Sequence, residues 1–260
     1  MDTPVWIGVS TCLSLGQIDK RRLPQSGTSR GSSIRAVVAR LDLPAINEAL
    51  IAVETDWPRI NAELARLKIG RKDPFTAFLR ANMLSGYAYL DQLLEQGIVP
   101  LSDASLEHLL RLNERVHYGT DAGLRVQFQA AIIATVEKFI VNIEPILDWH
   151  DRHRRHGNNP YKLAAETYVS IVGQPQLFVE GNHRTGALIA SWINLYAGLP
   201  PFVLSVDNAL TYFAPSAEIK QFADRSTWRG RRRIPKYRKS FRVFWEQLVE
   251  RKYLLGVCGY

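Results

Sequence analysis

Cysteine is scarce: Cys12 and Cys258 are the only two in 260 residues, and they lie near opposite ends. That excludes a disulfide framework and a cysteine-based zinc site as organising features, and reduced thiols are the expectation. Long apolar runs are missing too, since none approaches the roughly 18–20 residues needed to cross a bilayer. The N-terminus, MDTPVWIGVSTCLSLGQID, lacks the basic start of a secretory signal. A cytoplasmic protein with no membrane partner is therefore expected. No clear period-two alternation and no internal repeat is present, which argues against a β-sheet fold or a solenoid. Acidic residues are scarce in the segment that carries the net positive charge. Residues 225–252 hold eleven Lys or Arg against Glu246 and Glu250, a surplus of nine, so with a net charge of +8 the rest of the chain is one negative.

What remains is an ordinary globular composition, 46% hydrophobic and 22% charged, in a chain long enough to bury a sizeable core. Apolar residues recur at three- and four-residue spacing over residues 42–67 and 73–97, the second stretch opening at Asp73-Pro74 and closing at Gly97. A third helix is expected in LSDASLEHLLRLNERVHY, with Ser102 or Asp103 as its N-cap. After the turn-like GTDAG comes AAIIATVEKFIVNIEPILDWH, in which Pro145 is expected to kink or restart the helix. PQSGTSRGSS, residues 24–33, reads as a connection. The fold class is all-α.

Two further helical stretches, NNPYKLAAETYVSIV and TGALIASWINLYAGLP, flank QPQLFVEGNHR. The link between them places Gly181 to Arg184 at the first turn of the second helix. A helix start presents unpaired N–H groups and the positive end of its dipole, which together attract anions. Glycine at 181 allows close backbone approach, Asn182 can donate to an oxygen, Arg184 can hold a phosphate through its planar fork, and Glu180 can ligate a hard cation. The alternative is a polar helix–helix turn with Glu180 as a cap and Arg184 paired to an acid.

QLFVEGNHRTGA resembles, without a gap, the motif H-P-F-x-[D/E]-G-N-[G/K]-R-x-x-R of the Fic/Doc (Fido) family, matching at Phe178, Glu180, Gly181, Asn182 and Arg184. The resemblance covers about residues 101–202. It implies an N-terminal helical region over 1–100, a Fic-like core over 101–202 and a basic helical extension over 203–260. It implies transfer of AMP from ATP to a hydroxyl side chain of a target protein, or of phosphate as in Doc toxins. Glu180 would hold Mg²⁺, Gly181 to His183 would form the anion hole, and Asn182 and Arg184 would touch the α- and β-phosphates; Phe178 belongs to the same nucleotide-binding stretch. Positioning and charge neutralisation carry such chemistry.

Three departures from the motif bear on the chemistry. The family histidine, which takes the proton from the target hydroxyl, falls at Gln176, and an amide cannot take that proton. The last arginine falls at Ala187. His183 replaces the glycine or lysine of the anion hole. The glutamate of the family's inhibitory helix is absent as well, because the only Glu followed by Gly or Asn is Glu180 itself. Two functions follow: a divergent Fic-type nucleotidyltransferase, or a catalytically silent module that binds nucleotide or a partner. His117 precedes Ala122, Gly123 and Arg125, a weak match to the family's target-binding flap hairpin or an ordinary turn. His150, His153 and His156 carry metal-like spacing, but the interleaved arginines repel a cation. The basic run RGRRRIPKYRK, with Trp228 and Tyr237 interleaved, reads either as a nucleic-acid contact or as a solvated linker or face.

Overall fold

A computed structural model describes residues 39–69 and 73–255, and these form nine α-helices with no strand among them. The 24–33 connection and both cysteines lie outside the described residues. Helix α1 (Leu43–Arg66) starts where Asp42 accepts from the Ala45 N–H at 3.0 Å, with Pro44 in its first turn. Helix α2 (Ala77–Glu95) begins later than Asp73-Pro74 suggested, because Thr76 takes the cap by accepting from the Leu79 N–H; Gly97, at φ +67°, ends it as expected. Ser102 and Ser105 form a reciprocal capping box around a short 3₁₀ turn, and α3 (Leu106–Tyr118) follows.

Two stretches left open by the sequence are decided here. GTDAG does not lead into a hairpin: the Asp121 carboxylate accepts from the N–H groups of Gly123 and Leu124 and starts a six-residue helix, α4 (Ala122–Gln127). No flap strand exists among the described residues. Of the kink or restart expected at Pro145, the restart does not occur: α5 (Gln129–Arg155) runs through it as one helix, with Phe139, Ile143, Ile146 and His150 buried along one side. Tertiary packing on both sides of the proline outweighs the lost hydrogen bond.

The centre of the molecule is the pair α6 (Pro160–Val172) and α7 (Asn182–Tyr196). Both are apolar nearly all round, which a helix tolerates only when neighbours cover every side. Gly186 of α7 lets the helices meet closely, since a Cβ there would lie 3.2 Å from the Tyr168 ring. Helices α2 and α3 cover α7, α5 and α9 (Trp228–Leu248) cover α6, and α1 packs on α2 and α8 (Ala209–Phe222). Between α6, α8 and α9 lies an aromatic cluster in which Tyr168 stacks on Phe241 at 4.7 Å, with Trp245, Phe202, Phe244 and Tyr212 around them. The basic run is therefore no linker: it is the first half of α9, whose Ile234, Tyr237, Phe241, Phe244 and Trp245 are buried.

His150 is 2% exposed and its Nε2 has no hydrogen-bond partner. Burial, reinforced by Arg154, pushes its pKa down to about 4 from the ordinary 6.5. A base with a lowered folded pKa is protonated first in the unfolded chain, so its stabilising contribution is complete above pH 6.5 and declines as pH falls towards 4. The expected loss at pH 5 is about 2 kcal/mol. Urea unfolding at pH 7 and pH 5 should show that loss in the wild type and not in His150→Leu; equal pH dependence in both would exclude this group as the cause. Among the described residues no cluster of His, Cys, Asp or Glu suits a metal. His153 instead bonds the Trp149 carbonyl through Nδ1 at 2.7 Å.

Candidate functional site: the α6–α7 loop

Residues 173–181 connect the two central helices. Their first half is fastened to the α8–α9 turn: Gln174 N–H donates to the Ala223 carbonyl at 2.7 Å, Arg225 N–H to the Gln174 carbonyl at 2.8 Å, and the Arg225 guanidinium to the Pro175 carbonyl at 2.7 Å. Gln176, at the position of the family histidine, is half-buried, and its amide nitrogen donates to the Val172 carbonyl at 3.2 Å. It acts as a donor to the end of α6.

The second half closes on itself. Asn182 accepts from the Phe178 N–H at 2.8 Å and donates to the Phe178 carbonyl at 2.9 Å, so both ends of its carboxamide hold the loop. Phe178 points into the core, fully buried and stacked on Phe139 at 5.7 Å. Gly181 caps α7 at φ +72°, the left-handed region that a side chain adopts only at a cost. Its neighbours explain the glycine a second time: a Cβ would collide with His117 Nε2 and lie 3.1 Å from Asn113 Nδ2. The close approach is to α3.

Asn113 donates both to the Glu180 carbonyl and to Thr185 Oγ1, each at 3.0 Å, tying the loop and the start of α7 to α3. Its place on α3 betrays it in retrospect, for it falls among Leu109, Leu110, Leu112 and Val116 on the buried face. A polar residue in an apolar stripe needs a partner, and that pattern is readable without a structure. Tyr168, Tyr212 and Ser216 were also unmarked by any motif. Tyr168 Oη meets His183 Nδ1 at 3.1 Å, Tyr212 Oη at 3.0 Å and Ser216 Oγ at 2.8 Å, while Tyr212 donates to the His183 carbonyl at 3.1 Å. The His183 imidazole thus reaches inward, towards this hydroxyl network.

Arg184 donates to the Val116 carbonyl near the end of α3. Burial pushes its pKa below the usual guanidinium value, opposed by the more distant charges of Glu180 and Asp73. No carboxylate forms a salt bridge with it among the described residues. Ala187 sits in the core of α7, so the motif's second arginine has no counterpart. Beside the loop opens a cavity of about 490 Å³ between α3 and α5, mostly apolar, with Glu180, His117, Asn113 and Tyr118 on its wall. Its size suits a small-molecule ligand. Burial lowers the His117 pKa, Arg184 lowers it further, and a hydrogen bond to the Glu180 backbone opposes both; the ring is neutral at pH 7.

The structure thus brings Glu180, Gly181, Asn182, His183 and Arg184 to one helix start, with Asn113 and His117 of α3 against them. It turns Phe178 and His183 inward. Glu180 is exposed at the loop, and a single carboxylate suits Mg²⁺ only together with phosphate oxygens from a ligand. The chain matches no protein-family model and no curated protein.

Proposed function

We propose that this protein is a Fic/Doc-like module that binds a phosphate-bearing ligand, ATP or a related nucleotide, at the Glu180–Arg184 loop, and that it lacks the base for efficient group transfer. One observation carries the reading: Arg184 is a half-buried cation at a helix start, hydrogen-bonded to a backbone carbonyl and in no direct salt bridge among the described residues. Glu180 and Asp73 act on it only without direct contact; a partly buried cation gains from a directly bonded anion, and an anionic ligand at the positive end of α7 would supply one. Glu180 would hold Mg²⁺ against the phosphates, the metal neutralising their charge. The loop's bonds to Asn113 and Asn182, with the Arg184 bond from α7 to the Val116 carbonyl of α3, keep the first-turn N–H groups of α7 in place before the ligand arrives, so little ordering cost falls on binding. Gln176 cannot accept a proton, which is why binding is favoured over transfer.

A second reading, AMP transfer to a protein hydroxyl or Doc-like phosphate transfer, is favoured by His117. It is a neutral imidazole against Gly181 on the cavity wall, and a neutral imidazole can take a hydroxyl proton.

Thermal unfolding with Mg²⁺ and adenosine, AMP, ADP or ATP tests the primary reading. At a ligand concentration about a hundred times Kd, stabilisation of about 2.7 kcal/mol raises Tm by roughly 5–10 °C. The rise is expected with ADP and ATP and not with adenosine. Equal shifts with adenosine and ATP would place recognition on the base and contradict a phosphate site.

A further inference from the structure

The buried residues of α9 explain half of that helix. Gly230, Ile234, Tyr237, Phe241, Phe244 and Trp245 face the core, and the opposite side carries Arg229, Arg232, Lys236 and Lys239 at spacing i, i+3, i+7 and i+10, all exposed. The stripe is about 15 Å long at 1.5 Å per residue. None of the four forms a salt bridge among the described residues. The carboxylates nearest α9 are otherwise engaged or lie elsewhere: Glu246 pairs with Arg242, Glu166 of α6 with Arg238, Asp224 accepts from Ser226, and Glu218 of α8 lies towards Tyr237. Nothing in folding rewards this arrangement. Like charges three and four residues apart repel, and the first turn of α9 has cations and no acid, the reverse of what its dipole favours. What is unfavourable for the helix alone is favourable for an anion, since the dipole and the cations attract in the same place.

We propose that this face of α9 binds single-stranded nucleic acid, the cations along the phosphate backbone and Trp228 under an unpaired base. Trp228 is 62% exposed, and the Arg232 guanidinium lies 4.7 Å from its ring centroid; Arg233 lies 4.8 Å over Phe222, itself 37% exposed. Exposed aromatic rings beside arginines are the stacking platforms that unpaired bases use. A membrane surface fits less well. A helix lying on lipid inserts its apolar face, and the apolar face of α9 is already buried in the protein core. The inference is independent of the loop site, because none of these residues touches it.

Fluorescence anisotropy of the full chain with labelled dT and rU oligomers tests it. Four cations releasing counterions from a single strand predict a log K against log [salt] slope of about −3. Arg232→Ala, Lys236→Ala and Lys239→Ala combined should reduce that slope to about −1, with unchanged melting because the side chains are exposed. Trp228→Ala should weaken binding roughly tenfold with the slope intact, since stacking is not ionic. Preference between the two oligomers distinguishes DNA from RNA, and either supports the proposal. No binding of either at about 50 mM salt, an unaltered slope in the triple variant, or binding to phosphatidylserine vesicles but to neither oligomer would overturn it.

Discussion

Replacing Gln176 with histidine is expected to raise transfer of label from ATP to protein by about 10² to 10⁴, the usual worth of a general base. Gln176 aligns with the base position of the resembling motif, and among the described residues its side chain makes one hydrogen bond, a 3.2 Å donation to the Val172 carbonyl. A histidine can keep that bond through one ring nitrogen while the other accepts a proton, and the half-buried position tolerates a ring of similar reach. Incubation of wild type and Gln176→His with Mg²⁺, ATP labelled at the α- or γ-phosphate, and cell lysate reads the outcome, with autolabelling as the internal acceptor. Label from the α position identifies AMP transfer, and label from the γ position identifies Doc-like phosphate transfer. Strong labelling by the wild type, abolished in His117→Ala, would instead make the protein an active transferase with its base on α3. Labelling by neither, with nucleotide still bound, would leave a binding module in which position 176 does not face an acceptor hydroxyl.

Gly181→Ala should lower Tm by roughly 5–15 °C, from about 2–4 kcal/mol of destabilisation, and should abolish ligand-induced stabilisation. Two effects add. An alanine at φ +72° costs about 1–2 kcal/mol by itself, and its methyl group collides with His117 Nε2 and crowds Asn113. Adding His117→Ala to Gly181→Ala should recover the steric part and leave the backbone part. Melting of Gly181→Ala at the wild-type temperature would show that the loop does not depend on a left-handed residue at this position.

How much of this was readable beforehand varies from element to element. Helix α1 was legible almost to the residue because Asp42, Pro44 and an unbroken apolar stripe all agree. The start of α2 was displaced because Asp73-Pro74 and Thr76 are both credible helix openings, and the choice falls to the side chain that reaches an N–H group. Helix α4 was hidden because Asp121 can cap a helix or a turn with the same bonds. Pro145 does not restart the helix because the burial of Ile143 and Ile146, which carries α5 on through the proline, is tertiary information.

At the loop, the sequence identified where the polar residues gather but not which way they face. Asn182, read as a phosphate donor, is engaged by Phe178, and the His183 imidazole reaches into a hydroxyl network supplied by α6 and α8. The bonds of that network link residues 15 to 48 apart, at separations that no local pattern encodes. Glycine at 181 was read as a place where the backbone approaches a ligand; the groups found against it are His117 and Asn113 of α3. The basic run was visible from composition. Its division into a buried aromatic face and an outward cationic stripe required knowing that it is helical.

The central claim is that Arg184 waits for an anion, and titration calorimetry with ATP and Mg²⁺ on wild type and Arg184→Ala tests it most directly. A charge-assisted hydrogen bond contributes about 1.5–3 kcal/mol, so the wild type is predicted to bind and the variant to lose roughly 10- to 150-fold in affinity. Circular dichroism should show the same helical content in both, since the variant removes a bond to the Val116 carbonyl and no core packing. Equal affinity in the two proteins, or no heat of binding in either, would contradict a phosphate site at this loop.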